Sequence, residues 1–494
     1  MKQTLPDKAK FGVPGLDDVT EGGLARGRLF LLEGHPGTGK TTIATQFLMA
    51  GAEDGERSLY ITLSETDDEF RAGATSHGWS LDGVEIFELI PPESLLDDDQ
   101  QQSLLYSSDL ELGETTKRIF EAFERVKPHR VVLDSLSEIR LLAQSSLRYR
   151  RQILALKHYF ARHEATVLML DDLTSDANDK TMHSVAHGVI RLEELSPDYG
   201  AERRRLRVHK YRGQRYRGGY HDFVIETGGV RAFPRLVSAE HKGNFKREVL
   251  PSGSEELNAL LGGGIERGSS ALILGPAGTG KSLLTLSFVA SAAKRGERSA
   301  IFVFDEELGL LFERAKGLGF DLQAMVDAKQ LWIEQVDAAE LSPGEFSERV
   351  RRCVEVHEVR TVVIDSLNGY QAAMPEEQAL ILHMHELLQY LNRQGVSTFL
   401  TVAQHGLVGD MKAPVDVTYL ADTVILLRYF EAVGHVRRAI SIIKKRTSAH
   451  EHTIREYRIG RNGITVGEPL TGFHGILRGV PILVDHDAKL MAPD

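Results

Sequence analysis

Two stretches of the chain have the residue types and spacing that bind a polyphosphate. Gly34-His35-Pro36-Gly37-Thr38-Gly39-Lys40-Thr41 and Gly275-Pro276-Ala277-Gly278-Thr279-Gly280-Lys281-Ser282 both complete the pattern G-x-x-x-x-G-K-[ST]. The glycines let consecutive backbone N–H groups converge on phosphate oxygens, and a helix opening directly after the loop adds partial positive charge. Lys40 and Lys281 are expected to reach the β- and γ-phosphates, while Thr41 and Ser282 offer a hydroxyl to Mg²⁺. The candidate nucleotide-binding residues are Gly34, Gly37, Thr38, Gly39, Lys40, Thr41 and Thr42 in the first copy. In the second they are Gly275, Gly278, Thr279, Gly280, Lys281, Ser282 and Leu283.

Carboxylates stand where the chemistry would need them. Asp134 and Asp365 each end an apolar run, a place from which a carboxylate holds Mg²⁺ beside the loop hydroxyl. A strand-end turn residue is the plainer alternative for either one. Further candidates are Glu65 in the first half and Asp305 with Glu306 in the second. Across the nucleotide from the glycine loop, such a group orients or deprotonates the attacking water or hydroxyl; a solvated acidic loop is the competing reading. Ser64 stands opposite Asp305, so the second half has one more carboxylate and the two sites need not do the same chemistry.

These groups recur because the chain repeats itself. Val131-Val132-Leu133-Asp134-Ser135-Leu136 returns as Val362-Val363-Ile364-Asp365-Ser366-Leu367, and Lys210-x-Arg212 returns as Lys444-x-Arg446, all in the same order. Pro234 and a polar stretch over 235–246 separate the halves, giving expected domains of 1–235 and 247–494. Apolar strands are predicted at 28–32, 58–63, 130–133 and 165–170, with counterparts at 270–274, 299–304, 361–364 and 397–402. Helices are predicted at 41–54 and 282–295, and antiparallel hairpins at 203–224 and 438–458. Alternating strands and helices imply an α/β fold with a mostly parallel central sheet and helices on both faces.

The 494 residues carry 59 Lys and Arg against 70 Asp and Glu, a net charge of −11. That balance disfavours a general nucleic-acid or membrane-surface binder. Cys353 is the single cysteine, so an intrachain disulfide or an all-cysteine metal site is excluded. The first ten residues are polar and no apolar run reaches membrane-spanning length, so a cytoplasmic protein is expected. One local exception is the basic stretch 203–217, which contains no acid and interleaves Tyr211 and Tyr216. A nucleic-acid strip, a charged hairpin, and a Lys210–Arg212 pair reaching the γ-phosphate of a neighbouring subunit are its three readings. Repetition of the pair as Lys444 and Arg446 favours the third for those residues. The histidines form no metal-binding spacing.

The combined pattern resembles the KaiC family of double-domain RecA-like ATPases. The resemblance spans essentially the whole chain. It is carried by both glycine loops, by Gly78-Trp79, by the run 422–431, and by Lys444-Lys-Arg-Thr-Ser-Ala-His450. It implies tandem RecA-like P-loop domains, ATP and Mg²⁺ as cofactors, and a homo-hexamer of two stacked rings with ATP between subunits. It further implies ATP hydrolysis in the first ring and Ser/Thr autophosphorylation in the second. By that pattern Lys210, Arg212, Lys444, Arg446 and His450 approach a neighbour's nucleotide. Asp305 takes the kinase base position beside Glu306, and Thr418 falls at the acceptor pair Thr418-Tyr419. A KaiB-like regulatory partner is a further implication. Ser64 departs from the family's paired first-ring carboxylates, Tyr419 from its Ser-Thr acceptors, and 460–494 from its regulatory tail, so no clock role is carried over. The expected function is a nucleotide-dependent signalling ATPase and autokinase. Its competitors are a RecA- or helicase-like DNA-dependent ATPase and a nucleotide-gated scaffold with negligible turnover.

Overall fold

Strand Leu29–Gly34 (β1) shows why each half folds as a sandwich of layers. All six of its residues are buried, and they alternate between two cores. Leu29 and Leu31 enter one with Leu136, Ile153 and Phe160; Phe30 and Leu32 enter the other with Ile43, Phe47 and Leu48. A strand apolar on both faces must be covered on both faces. The helix Lys40–Glu53 covers one side, and helices Leu136–Ala143 and Ser146–Arg162 cover the other. In the second half, strand Ser270–Gly275 divides its residues the same way.

The computed structural model describes residues 8–89, 104–173, 181–197, 200–374, 376–404, 417–461, 463–478, 481–484 and 490–491. The chain divides into two units, Met1–Arg235 and Leu236–Asp494. The first unit continues through Ser58–Thr62 (β2), Val84–Glu88 (β3), Arg130–Asp134 (β4), Thr166–Asp172 (β5), Gly188–Leu195 (β6), Arg203–Tyr211 (β7), His221–Glu226 (β8) and Gly229–Phe233 (β9). Their order is β9-β8-β7-β6-β1-β5-β4-β2-β3. From β6 to β3 every pairing is parallel; from β6 outward to β9 every pairing is antiparallel.

The second unit has Ser270–Gly275 (β10), Arg298–Val303 (β11), Leu331–Gln335 (β12), Val359–Asp365 (β13), Ser397–Ala403 (β14), Thr423–Ala432 (β15), His435–Lys445 (β16), Arg455–Gly460 (β17) and Gly463–Pro469 (β18). They are ordered β12-β11-β13-β14-β10-β15-β16-β17-β18, the same topology. The eight predicted apolar strands all form, with ends displaced by no more than two residues, and the two predicted hairpins form over 203–226 and 435–460. Among the described residues no helix is long and apolar enough to cross a membrane.

His221 on β8 makes the first unit sensitive to acid. It is 1% exposed; its Nδ1 accepts from the Arg235 amide at 2.9 Å, and its Nε2 donates to the Arg217 carbonyl at 3.0 Å. Burial pushes its pKa down to about 4. The unfolded imidazole therefore takes a proton that the folded one refuses, and stability falls as pH drops from about 6.5 toward 4. This group alone is expected to cost about 2 kcal/mol between pH 7 and pH 5. Hydrogen exchange of the His221–Glu226 amides, corrected for intrinsic rates, should lose protection over that interval in the native chain and much less in His221→Gln. Equal losses in both would refute the assignment.

Candidate nucleotide sites

In the first unit the chain leaves β1 at Gly34 and turns through Gly37 and Gly39, whose φ angles are 85° and 91°. Those values lie in the left-handed region, where a Cβ is strained. No side chain caps the helix that follows at Lys40, so its first N–H groups face the loop and are available to an anion. Lys40 is 7% exposed and donates to the carbonyls of Gly34 and His35 at 2.9 and 3.0 Å. Thr42 follows on the first turn. The second loop repeats this with Gly278 and Gly280 at 78° and 92°. There Lys281 donates to Gly275 and Pro276 at 3.0 and 2.9 Å, and burial pushes its ammonium pKa down against the pull of Asp365 and Asp305. Leu283 is packed in the apolar core, so only its backbone can face a ligand. Thr38 and Thr279 brace the loops internally, donating to His35 and Pro276 carbonyls at 2.8 and 2.9 Å.

Asp134 ends β4, which β5 separates from β1, and is joined to the loop directly: Thr41 Oγ1 donates to its Oδ2 at 3.0 Å. Tyr60 donates to the same oxygen at 2.5 Å. Burial pushes the Asp134 carboxyl up, and those two donors oppose it. In the second unit Asp365 ends β13 and accepts from Thr401 Oγ1 at 2.5 Å. A hydroxyl beside a carboxylate is a set of hard oxygen donors that suits Mg²⁺. Among the described residues no three His, Cys, Asp or Glu side chains cluster to hold a metal alone. An ion there would draw its other ligands from phosphate and water, as Mg²⁺ does in nucleotide sites.

The three other carboxylates sit on the turns after β2 and β11. Glu65 is fixed through its backbone, whose N–H and C=O both bond Thr62 Oγ1 at 2.9 Å; burial raises its pKa, and the charges of Asp134 and Glu69 add to this. Asp305 accepts a short hydrogen bond from Ser366, the residue after Asp365. Glu306 is pushed up by burial and held by Arg314 at 2.6 Å. Glu307 instead caps the helix Leu308–Gly317, accepting from Gly309 and Leu310 amides. Of the acidic triplet, the cap is thus separated from the pair that lies beside the site.

The Lys-Arg pairs are elsewhere. Gly188 is the register partner of Phe30 on one side and Tyr211 on the other, so Lys210 and Arg212 lie at the start of β1 while the glycine loop leaves its end. At about 3.3 Å per residue, the length of β1 alone puts roughly 13 Å between them. Lys210 donates to the carbonyls of His183 and Ala186, and Arg212 to that of Ser184 at 2.7 Å. Lys444 binds the carbonyls of Thr418 and Ala421 at 2.9 and 2.8 Å, and Arg446 that of Tyr419 at 2.8 Å. Cations at the free carbonyls ending a turn are a favourable pairing. His450 follows at the same end, 4.5 Å from the ring of His452. The fold therefore does not bring Lys210, Arg212, Lys444, Arg446 or Thr418 to the glycine loop of its own unit. Thr418 is half-buried in a turn before β15 and not in a strand; Tyr419 beside it is 50% exposed.

Two of the surplus arginines of 203–217, Arg204 and Arg205, have a local explanation. Across the β6–β7 pairing Glu193 faces Arg205 and Glu194 faces Arg204, with contacts of 2.8 and 2.9 Å. The Arg205 guanidinium also stacks 4.0 Å from the Tyr220 ring. These are cross-strand ion pairs of a charged hairpin, which weakens the nucleic-acid reading.

Sequence reasoning missed Tyr60 and the acidic pair Asp171-Asp172 that ends β5. Asp172 Oδ1 lies 2.7 Å from Lys40 Nζ, and Asp171 pairs with Arg140 at 2.6 Å. The available signal was the pair Asp171-Asp172 after the predicted strand 165–170, where the repeat has Val402-Ala403.

Two sheets of one topology, each with a P-loop at the C-terminal end of its central strand, define the class: a tandem RecA-like ATP-binding protein. A family model described as "ATPase: KaiC" matches residues 9–237 and 250–471. The chain belongs to the KaiC ATPase family. It is 28% identical to circadian clock protein KaiC3 of Synechocystis sp., over 96% of this chain and 95% of that one. It is 27% identical to circadian clock oscillator protein KaiC of Acaryochloris marina, over 97% and 92%. Circadian clock protein KaiC2 of Synechocystis sp. is likewise 27% identical, over 96% and 83%.

Proposed function

We propose that this chain is a self-assembling ATPase and autokinase whose nucleotides lie between adjacent copies, in a hexamer of two stacked rings. The observation that carries this reading is the placement of each Lys-Arg pair at the end of the sheet opposite its own P-loop. A cation pair so placed is out of reach of its own phosphates, so any phosphate it serves belongs to a neighbour. Lys40 and Lys281 bind the β- and γ-phosphates of their own site. Thr41 with Asp134, and Ser282 with Asp365, hold Mg²⁺, which when bound offsets phosphate charge. Glu65 orients water in the first site. In the second, Asp305 and Glu306 face the nucleophile's side of the γ-phosphate. Lys210 and Arg212, or Lys444 and Arg446 with His450, complete the site from the adjacent copy.

Autophosphorylation follows the same geometry. Thr418 lies at the Lys444 end of β10, away from Gly275, so its acceptor role requires the P-loop and Asp305 of the adjacent copy. The Oγ–phosphorus bond forms as the bond to the ADP leaving oxygen breaks, and the hydroxyl proton passes to a carboxylate. The threonine hydroxyl is close to the backbone, whereas the Tyr419 ring carries its hydroxyl several ångströms further.

Intact-mass measurement after incubation with Mg-ATP, followed by tandem mass spectrometry, tests the kinase. One added phosphate on Thr418, lost in Thr418→Ala and in Asp305→Asn, is the expected result. Phosphate on Tyr419 alone would overturn the reach argument. Steady phosphate release from an unmodified chain would leave the ATPase without the kinase, and neither product would leave a nucleotide-gated scaffold.

A further inference from the structure

The two nucleotide sites differ in the carboxylates around the loop lysine: the second has Asp305, whose charge acts on Lys281, where the first has Ser64, and the first has Asp172 in ion-pair contact with Lys40. In the β1–β5 register Gly34 lies opposite Asp172, whereas in the β10–β14 register Gly275 lies opposite Ala403. Asp172 therefore stands where the second unit has a methyl group. Its Oδ1 is 2.7 Å from Lys40 Nζ, and its Oδ2 accepts from Ser137 Oγ at 3.4 Å. Ser137 corresponds to Asn368, which in the second unit spends both amide atoms on the backbone of Ala403, at 3.0 and 2.7 Å. Lys281 has no ion pair this close among the described residues, and its short contacts are carbonyls.

A phosphate oxygen must approach the same lysine Nζ that Asp172 holds. Carboxylate and phosphate have the same sign, so at a separation of a few ångströms they repel, and partial burial limits screening by salt. A divalent cation on the phosphates cancels part of that repulsion. We propose that Asp172 is a specificity-determining residue of the first site: it competes with phosphate for Lys40 and makes that site select nucleotide as its divalent-cation complex. With Ala403 at the equivalent position, the second site has no carboxylate in ion-pair contact with Lys281 among the described residues and discriminates less. The inference rests on residues 34–41 forming a nucleotide site.

The test uses the full-length chain with Lys281→Ala silencing the second site, titrated with N-methylanthraniloyl-ATP in Mg²⁺ and in EDTA. Asp172→Asn, which keeps the shape and the Ser137 contact, and Asp172→Ala should each bind about tenfold tighter than the parent in EDTA. Affinity in Mg²⁺ should change much less, so the EDTA-to-Mg²⁺ ratio of Kd falls about tenfold. In the converse background, Lys40→Ala with Ala403→Asp, that ratio should rise at the second site. Unchanged ratios, or equal weakening in both media, would overturn the proposal, because Asp172 would then only shape the loop. A Lys281→Ala chain that binds no nucleotide even in Mg²⁺ would overturn the first-site assignment itself, and this inference with it.

Discussion

Lys40→Ala and Lys281→Ala should each abolish nucleotide binding at one site and leave the other filled. Each lysine is fixed by two carbonyls of its own loop, so its charge is already positioned for phosphate and little ordering remains to be done on binding. Losing a charge-assisted contact to the phosphates should weaken the affected site by at least about a hundredfold. The two variants should not be equal. Removing Lys40 leaves Asp172 facing the phosphates without its partner, at 2.7 Å from where the ammonium stood, so Lys40→Ala is expected to be the more severe. Bound-nucleotide stoichiometry should fall by half in each variant, with all remaining binding lost in the double variant. Full stoichiometry in either single variant would refute the presence of two working sites.

Mixing two inactive variants should restore activity. Lys281→Ala lacks its own P-loop lysine, and Lys444→Ala/Arg446→Ala lacks the cations it would lend to a neighbour. Alone, each assembly has only incomplete second sites. In mixed assemblies some sites pair an intact P-loop with an intact Lys-Arg pair, and those sites should turn over. A trans-acting arginine is worth roughly 10³–10⁵ in rate in related phosphoryl-transfer systems, so the recovered signal stands well clear of background. Both variants are made with Lys40→Ala to silence the first site. Turnover measured before and after subunit exchange decides the matter, and no recovery despite demonstrated exchange would place the pair's role within its own chain.

The class of fold was legible in residues because the signals are local. Buried parallel strands must be apolar on both faces, and runs such as Leu29-Phe30-Leu31-Leu32 and Val131-Val132-Leu133 show this directly. The loop glycines announce positive φ, and the duplication doubled every signal. The strands of the two large sheets that sequence patterning did not single out are the edge strands Val84–Glu88 and Leu331–Gln335, along with Gly188–Leu195 and Gly229–Phe233 and their counterparts Thr423–Ala432 and Gly463–Pro469. Val84–Glu88 and Leu331–Gln335 each lie at one end of their sheet and are only partly buried, so charge and apolarity mix in a short run and blur the periodicity.

What residue order alone determined was the set of groups able to handle a phosphate: the two loops, their lysines, and the strand-end carboxylates. A loop and the helix it opens are contiguous, so spacing suffices to define them. Only the tertiary structure decided how groups from different strands meet. Parallel packing of β4, β5 and β1 put Asp134 against Thr41 and Asp172 against Lys40, contacts that span 93 and 132 positions of chain. The antiparallel turn from β6 to β7 carried Lys210 and Arg212 to the opposite end of the sheet, and the turn from β15 to β16 did the same for Lys444 and Arg446. Cross-strand pairing also neutralised arginines that look uncompensated in sequence. Sequence specifies each strand's faces through its own side chains, but which residues stand side by side depends on strand order and register. Those are set by how the whole apolar core is shared among the layers.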